Sequence, residues 1–237
     1  MEELYTTYAR LYDIIYYKEE KYQDEVNFLL MHKPESCLNI LDLCGGTGSH
    51  ANLLVMMGHQ VTIVDRSSAM LEIAKKKNPL VKVVNKDIFT FNSSEKFDLV
   101  LCMYGAIHYT ESAYLISTLI KRLPQFLKSQ GKVVFDLRCS PNLPENNQLD
   151  FNNGYWNRKF FRIGKGIKNS DLYVVTAFNR EEHFLDVHNL YYCDPFLFVK
   201  MFKDAGFCNV HLNDGYTPKV EYNRNSKNDI AVLVASN

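Results

Sequence analysis

The chain has 237 residues, 46% hydrophobic and 23% charged, which suits a soluble globular domain and excludes fibrous, coiled-coil and wholly disordered readings. Its 27 Lys and Arg balance its 27 Asp and Glu, so neither the basic footprint of a nucleic-acid binder nor a polybasic membrane signal is visible. No run nears the ~18 apolar residues of a membrane span, early charges (Glu2, Glu3, Arg10, Asp13) speak against a secretory signal, and six scattered cysteines without a CxxC pair indicate neither a zinc site nor a disulfide framework, so free thiols in the cytoplasm and no metal are expected.

Residues 1–32 read as helix, with Leu4, Tyr8, Leu11/Tyr12, Ile15, Val26 and Leu29/Leu30 at helical spacing. LNILDL (38–43) suits a buried strand, and CGGTG leads into a helix over 48–57 that ends at Gly58 as a left-handed cap. VTIV (61–64) is a second strand, closed by Asp65. Ser67 caps the next helix, where Met70 and Ile73/Ala74 share a face, Lys75–Lys77 form a solvated end and Asn78-Pro79 stops it. VKVV (81–84) and FDLVLCM (97–103) are strands three and four, a long helix covers 112–128, and KVVFDL (132–137) is strand five. Alternating strands and helices imply a parallel sheet with right-handed crossovers. The rhythm then changes. Residues 140–157 are rich in Asn and Pro, and segments near 158–163, 172–178 and 182–192 read as antiparallel strands. A helix with Asp194 as N-cap, Pro195 in its first turn and Gly206 beyond it follows, then a polar loop (213–228) and a last strand, DIAVLVAS. One nucleotide-binding α/β domain with a β-rich insertion at 140–192 is expected.

The informative stretch is Asp42-Leu43-Cys44-Gly45-Gly46-Thr47-Gly48-Ser49-His50. Glycines between a strand and a helix let a ligand press on bare backbone, and the helix offers free N–H groups to a negative group. Asp65, 17 residues past Gly48, stands where a doubly wound fold holds a ribose diol. Two ligands fit: a dinucleotide, since Gly46, Gly48 and Ala51 satisfy G-x-G-x-x-A, or S-adenosylmethionine. Asp42 weighs for the second, because a carboxylate there suits a cationic amino group better than a pyrophosphate. Asp87, after the third strand, suits an adenine amine.

LDLCGGTG, VTIVD, the Asp87 segment and FDLVLCM, in that order, resemble the class I S-adenosylmethionine-dependent methyltransferases, with Cys44 at the family's first loop glycine. A closer likeness covers nearly the whole chain: it is similar to the N,N-dimethyltransferases that act on nucleotide-linked amino sugars in macrolide pathways. That likeness rests on Tyr12-Asp13-Ile14-Ile15, Lys21-Tyr22, Thr47-Gly48-Ser49-His50, Cys102-Met103-Tyr104-Gly105-Ala106-Ile107-His108, Asp186-Val187-His188 and Asp204-Ala205-Gly206-Phe207. The chain departs from that family at Gly105-Ala106, at His108-Tyr109 and in the loop Asn213–Asn228.

The resemblance implies a Rossmann-like α/β fold with a mostly parallel seven-stranded sheet over residues 1–237, and a small antiparallel insertion, 140–192, for substrate or dimer contacts. It implies S-adenosylmethionine as cofactor, held by Asp42, Gly45, Gly46, Gly48 and Tyr22 at the methionine end, by Asp65 at the ribose and by Met70, Asp87 and Ile88 at the adenine, with Tyr104 closing the pocket and Arg66 and Met103 as further cofactor contacts. Tyr12, His108, Tyr109 and His188 face the acceptor, with Tyr12, His108 and His188 as catalytic candidates and one of the histidines as proton acceptor. Blander readings stand beside these: Asp65 as a helix cap, Met70 as core, Asp87 as a turn residue, His50 as packing, His188 as structural. N-methylation of a small molecule leads, without nucleic-acid or membrane partners and with a homodimer in view. O- or C-methylation, a protein N-terminus as acceptor, an NAD-dependent dehydrogenase and a non-catalytic binding module are the alternatives.

Overall fold

The computed structural model describes residues 3–31, 36–110, 112–139, 151–152, 156–163, 168–177 and 183–237. Two short helices open it, α1 (Tyr12–Tyr16) and α2 (Glu19–Leu30), after single helical turns at Glu3–Tyr5 and Ala9–Leu11. The helix expected over 1–32 is therefore broken. Tyr17 and Lys18 are extended, with ψ of 127° and 113°, and no Pro or Gly announces the break.

A seven-stranded sheet follows: β1 (Asn39–Leu43), β2 (Gln60–Asp65), β3 (Lys82–Asn85), β4 (Phe97–Cys102), β5 (Leu127–Arg138), β10 (Asn209–Asp214) and β11 (Ile230–Ser236), in the order β10-β11-β5-β4-β1-β2-β3. β11 is antiparallel to both of its neighbours, and the other pairings are parallel. Helices α3 (Ser49–Met56), α4 (Ser68–Lys77), α5 (Ala113–Arg122) and α6 (Pro195–Asp204) cover the faces. A separate antiparallel sheet is formed by β6 (Phe151–Asn152), β7 (Trp156–Ile163), β8 (Lys168–Ala177) and β9 (His183–Tyr191). The long helix expected over 112–128 ends at Arg122, because Pro124 cannot continue it and turns the chain into β5. The strand β10 carried no clear sequence signal.

The strands at the centre of the large sheet, β1, β2, β4 and the end of β5, are buried on both faces, which explains why they read as nearly unbroken apolar runs. Leu41 and Leu43 point into one core, with Phe97, Phe135 and Phe198, while Ile40 points into the other, with Leu54, Ile63 and Val232. Alternation puts Asp42 on the Ile40 side, 1% exposed, the one carboxylate of the strand and flanked by Leu41 and Leu43. The Ser67 hydroxyl accepts the Met70 N–H and the Asp194 carboxylate accepts the Phe196 N–H, the two helix caps expected from sequence. The order reverses between β1 and β4: β2 and β3 lie to one side, β5 to the other. Open α/β sheets bind ligands at such a switch point, beyond the carboxyl ends of the strands.

Candidate active site

The ends of β1 and β4 carry an unusual backbone. Cys44 and Tyr104, each just past its strand, both have φ of +61°, a conformation non-glycine side chains seldom adopt and which concentrates at functional sites. Asp136 on β5 steadies the second turn: its Oδ1 accepts the Gly105 N–H at 2.5 Å and its Oδ2 accepts the Tyr216 hydroxyl at 2.7 Å. Between the two turns opens a cleft of about 800 Å³, counted to its mouth.

One wall is a cradle of backbone and acids. Asp42 Oδ2 is buried without a hydrogen-bond partner among the described residues, and burial lifts the carboxyl to about 6. A Cβ on Gly45 would stand 2.6 Å from that oxygen, so only glycine lets the carboxylate sit there. Gly46 has φ of +54° and a Cβ on it would meet no atom within 4 Å, because it would project into the open cleft. Asp65 lines the cleft with both oxygens engaged: Oδ2 accepts the Gly46 N–H at 3.0 Å and Oδ1 accepts the Ser67 N–H at 2.8 Å. It thus ties the glycine loop to the start of α4, and burial raises its carboxyl above the usual range. Arg66, Met70 and Met103 also line the cleft.

The opposite wall is aromatic: Tyr5, Tyr12, Tyr22, Tyr104 and Tyr109. Lys77 and Asp13 clamp α1 over the glycine loop. Lys77 Nζ lies 2.8 Å from Asp13 Oδ2, and Asp13 Oδ1 accepts the Thr47 hydroxyl at 2.6 Å. Lys77 is therefore part of this clamp and not a solvated helix end, while Lys75 donates to the Pro79 and Val81 carbonyls. The Ser67 hydroxyl also donates to the Tyr5 carbonyl, which anchors the first turn. Behind Asp42, Glu25 Oε2 lies 2.7 Å from His50 Nε2 and accepts the Tyr104 hydroxyl at 3.3 Å. His50 lines the cleft between the Tyr22 and Tyr104 rings, at 4.8 and 5.6 Å, so it is more than packing.

Not every residue expected at the site reaches it. Gly48 (φ +71°) packs against Ile63 and Ala74 and seats α3 on the sheet without lining the cleft. Asp87 Oδ1 accepts the Phe89 N–H at 2.7 Å, which makes it a turn residue, and Ile88 is buried in the core; neither lines the cleft. His108 is fully buried. Its Nε2 accepts the Arg138 N–H at 3.0 Å and its Nδ1 lies 2.9 Å from the Tyr191 carbonyl. Both ring nitrogens serve the main chain, and burial pulls its pKa down to about 4, so the expectation of His108 as proton acceptor is corrected. His188, 1% exposed, stands behind the cleft wall with Nδ1 2.8 Å from the Tyr109 hydroxyl. The contacts of Tyr5, Asp13, Glu25 and Asp136 had no sequence signal, because each meets its partner across a long stretch of chain.

The strand order and the crevice of glycines and acids define the class I S-adenosylmethionine-dependent methyltransferase fold. Residues 40–131 match a family model described as a methyltransferase domain. A curated relative, the dTDP-3-amino-3,6-dideoxy-alpha-D-glucopyranose N,N-dimethyltransferase of Streptomyces fradiae, is 27% identical over 133 residues, 54% of this chain and 52% of that protein. The chain thus spans about half the length of that relative. Among solved structures, an S-adenosylmethionine-dependent methyltransferase from Clostridium acetobutylicum superimposes with a TM-score of 0.82 at 19% identity, covering 97% of both chains. The sugar N-methyltransferase KedS8 of Streptoalloteichus gives 0.73 at 22% identity, covering 95% of this chain and 93% of the other. Among the described residues, no helix is long and apolar enough to cross a membrane.

Proposed function

We propose that the chain transfers the methyl group of S-adenosylmethionine to the amino group of a small molecule. The observation that carries this is a single cleft with two unlike walls: the Asp42–Gly46–Asp65 cradle and the tyrosine face. The cradle fits the cofactor. An orphaned buried carboxylate oxygen at Asp42 awaits a donor, and the space that a Gly46 side chain would fill is open. Asp42 with Gly45 and Gly46 would hold the methionine end beside Tyr22, and Asp65 with Arg66 the ribose. Met70 and Met103 supply polarizable surface for the base and the mouth.

When bound, S-adenosylmethionine supplies a methyl carbon already activated by a positive sulfur. The protein is then left with placing the nucleophile, and well-oriented reactions gain roughly 7–11 kcal/mol from proximity. Tyr12 and Tyr109 shape the acceptor side, and α1, clamped by Asp13 and Lys77, shuts out water. The five phenols offer hydrogen bonds and ring faces that suit an amine without fixing it as a salt. The likeness to the Streptomyces fradiae relative, a sugar N,N-dimethyltransferase, supports an amine over oxygen or carbon. A homodimer through the antiparallel sheet belongs to the same proposal and is read by sedimentation.

The test is a screen with methyl-labelled S-adenosylmethionine against amino sugars, small amines, and matched alcohols and phenols. Label on an amine is expected. Label on alcohols or phenols alone would replace the amine, and cofactor binding with no acceptor in the panel would favour a non-catalytic binding protein.

A further inference from the structure

We propose that Tyr5, Tyr109 and His188 form a proton relay that drains the acceptor side of the cleft into a buried imidazole. It rests on the amine reading above. The Tyr5 and Tyr109 hydroxyls are 2.9 Å apart, and the Tyr109 hydroxyl is 2.8 Å from His188 Nδ1. These are hydrogen-bond distances that join three groups without a gap. The rings meet edge-on, with centroids 5.4 to 5.8 Å apart, so each phenol is held in place by the other two members. The members come from the first turn of the chain, the loop after β4, and β9 of the antiparallel sheet, so no single element's periodicity accounts for the cluster. Tyr5 and Tyr109 line the cleft, and His188 stands behind them.

The chemistry calls for such a sink. A neutral amine that takes a methyl group forms the N–C bond with its lone pair as the C–S pair departs to sulfur, and it is left as an ammonium carrying one proton too many. Among the described residues that line the cleft, the ionisable groups other than tyrosines are Asp42, Cys44, Asp65 and Arg66, on the cradle wall, and His50, whose Nε2 lies 2.7 Å from the Glu25 carboxylate. His108 is unsuited, since both of its ring nitrogens serve the main chain. The proton therefore passes to Tyr5 Oη as the Tyr5 proton moves to Tyr109 Oη and the Tyr109 proton moves to Nδ1, in the tautomer whose proton is on Nε2. Both phenols end neutral and His188 ends as imidazolium; once product leaves, its proton returns from Nδ1 through the Tyr109 and Tyr5 hydroxyls to water entering the cleft. Burial holds the Tyr5 hydroxyl well above the usual phenol range, which favours concerted exchange over a standing phenolate.

The experiment measures single-turnover methyl transfer from labelled S-adenosylmethionine to the best amine of the screen, from pH 6.5 to 9. It uses Tyr5→Phe, Tyr109→Phe, His188→Gln and the double variant Tyr109→Phe/His188→Gln, with cofactor affinity and melting temperature as checks on folding. Each single variant should be about tenfold slower or more at pH 6.5, as loss of a general base predicts, with the deficit narrowing toward pH 9 as solvent takes over the proton. The double variant should be no slower than the slower single, because one relay is cut twice. Tyr109→Phe removes one hydroxyl and nothing else, so it carries the test if His188→Gln fails to fold. Full rate in Tyr109→Phe, a deficit constant with pH, or multiplying deficits would overturn the relay while leaving the amine acceptor intact. A wild-type protein that methylates no amine would overturn both.

Discussion

Replacing Gly46 by alanine separates what the glycine loop does for folding from what it does for binding. Gly46 has φ of +54° and Gly58, at the far end of α3, has φ of +91°; a Cβ at either position meets no atom within 4 Å. Both substitutions therefore carry the left-handed penalty of about 1–2 kcal/mol and no clash. For a domain of this size that lowers the melting temperature by about 2–8 °C in each variant. The two part company on binding. The Gly46 methyl would stand in the space where backbone must touch ligand, and overpacking of about 1–3 kcal/mol weakens affinity by roughly fivefold to 150-fold. Gly58→Ala should bind S-adenosylmethionine as tightly as wild type. Calorimetric titration, with melting curves on the same samples, reads both quantities. If Gly46→Ala binds the cofactor as well as Gly58→Ala does, the ligand does not press on this loop and the cradle is misassigned.

Other consequences follow from the same geometry. Asp42 is lifted to about 6 by burial, so its charged form is the costly one in the fold: the cost is absent below about pH 4 and full above pH 6, about 3 kcal/mol. Asp42→Asn should therefore be more stable than wild type at pH 8 by up to that amount, equal to it at pH 4, and weaker for the cofactor; a variant less stable at pH 8 would contradict the orphaned carboxylate. His108 is pulled down to about 4, so the stability it lends is full above about pH 6.5 and fades as pH falls toward 4. Denaturant midpoints of wild type and His108→Gln should converge by about 3 kcal/mol over that interval, and parallel curves would mean the ring titrates freely. Lys77→Ala frees the clamp on Asp13, a partly exposed pair worth up to about 1 kcal/mol, so the cofactor dissociation constant should rise about two- to fivefold at low salt. That rise should vanish at 1 M salt, and an unchanged constant at low salt would show that α1 needs no clamp.

The parts legible in sequence are those whose causes are local. The strand–glycine–helix turn at 42–50 announces itself because sharp turns demand glycine, and the Ser67 and Asp194 caps because a hydroxyl or carboxylate satisfies N–H groups two or three residues away. What escaped is set by tertiary packing. Thr47 reaches Asp13 across 34 residues, Tyr5 reaches Tyr109 across 104, and Tyr109 reaches His188 across 79. The single helix read over 1–32 failed for a related reason: the chain breaks at Tyr17–Lys18, and of its tyrosines Tyr5, Tyr12 and Tyr22 line the cleft. His108 and His188 could not be told apart by pattern. Only the fold reveals that one spends both nitrogens on main chain while the other meets a phenol at the cleft.

The central claim is that this cleft holds S-adenosylmethionine between the Gly46 backbone and the Asp65 carboxylate. Its most direct measurement is a titration of the wild-type protein and of Asp65→Ala with S-adenosylmethionine, followed by heat. One saturable site per chain is expected, with the dissociation constant at least about tenfold higher once the carboxylate is gone, the loss of about 1.4 kcal/mol. No heat with wild type at millimolar cofactor, or equal affinity in the two proteins, would contradict it.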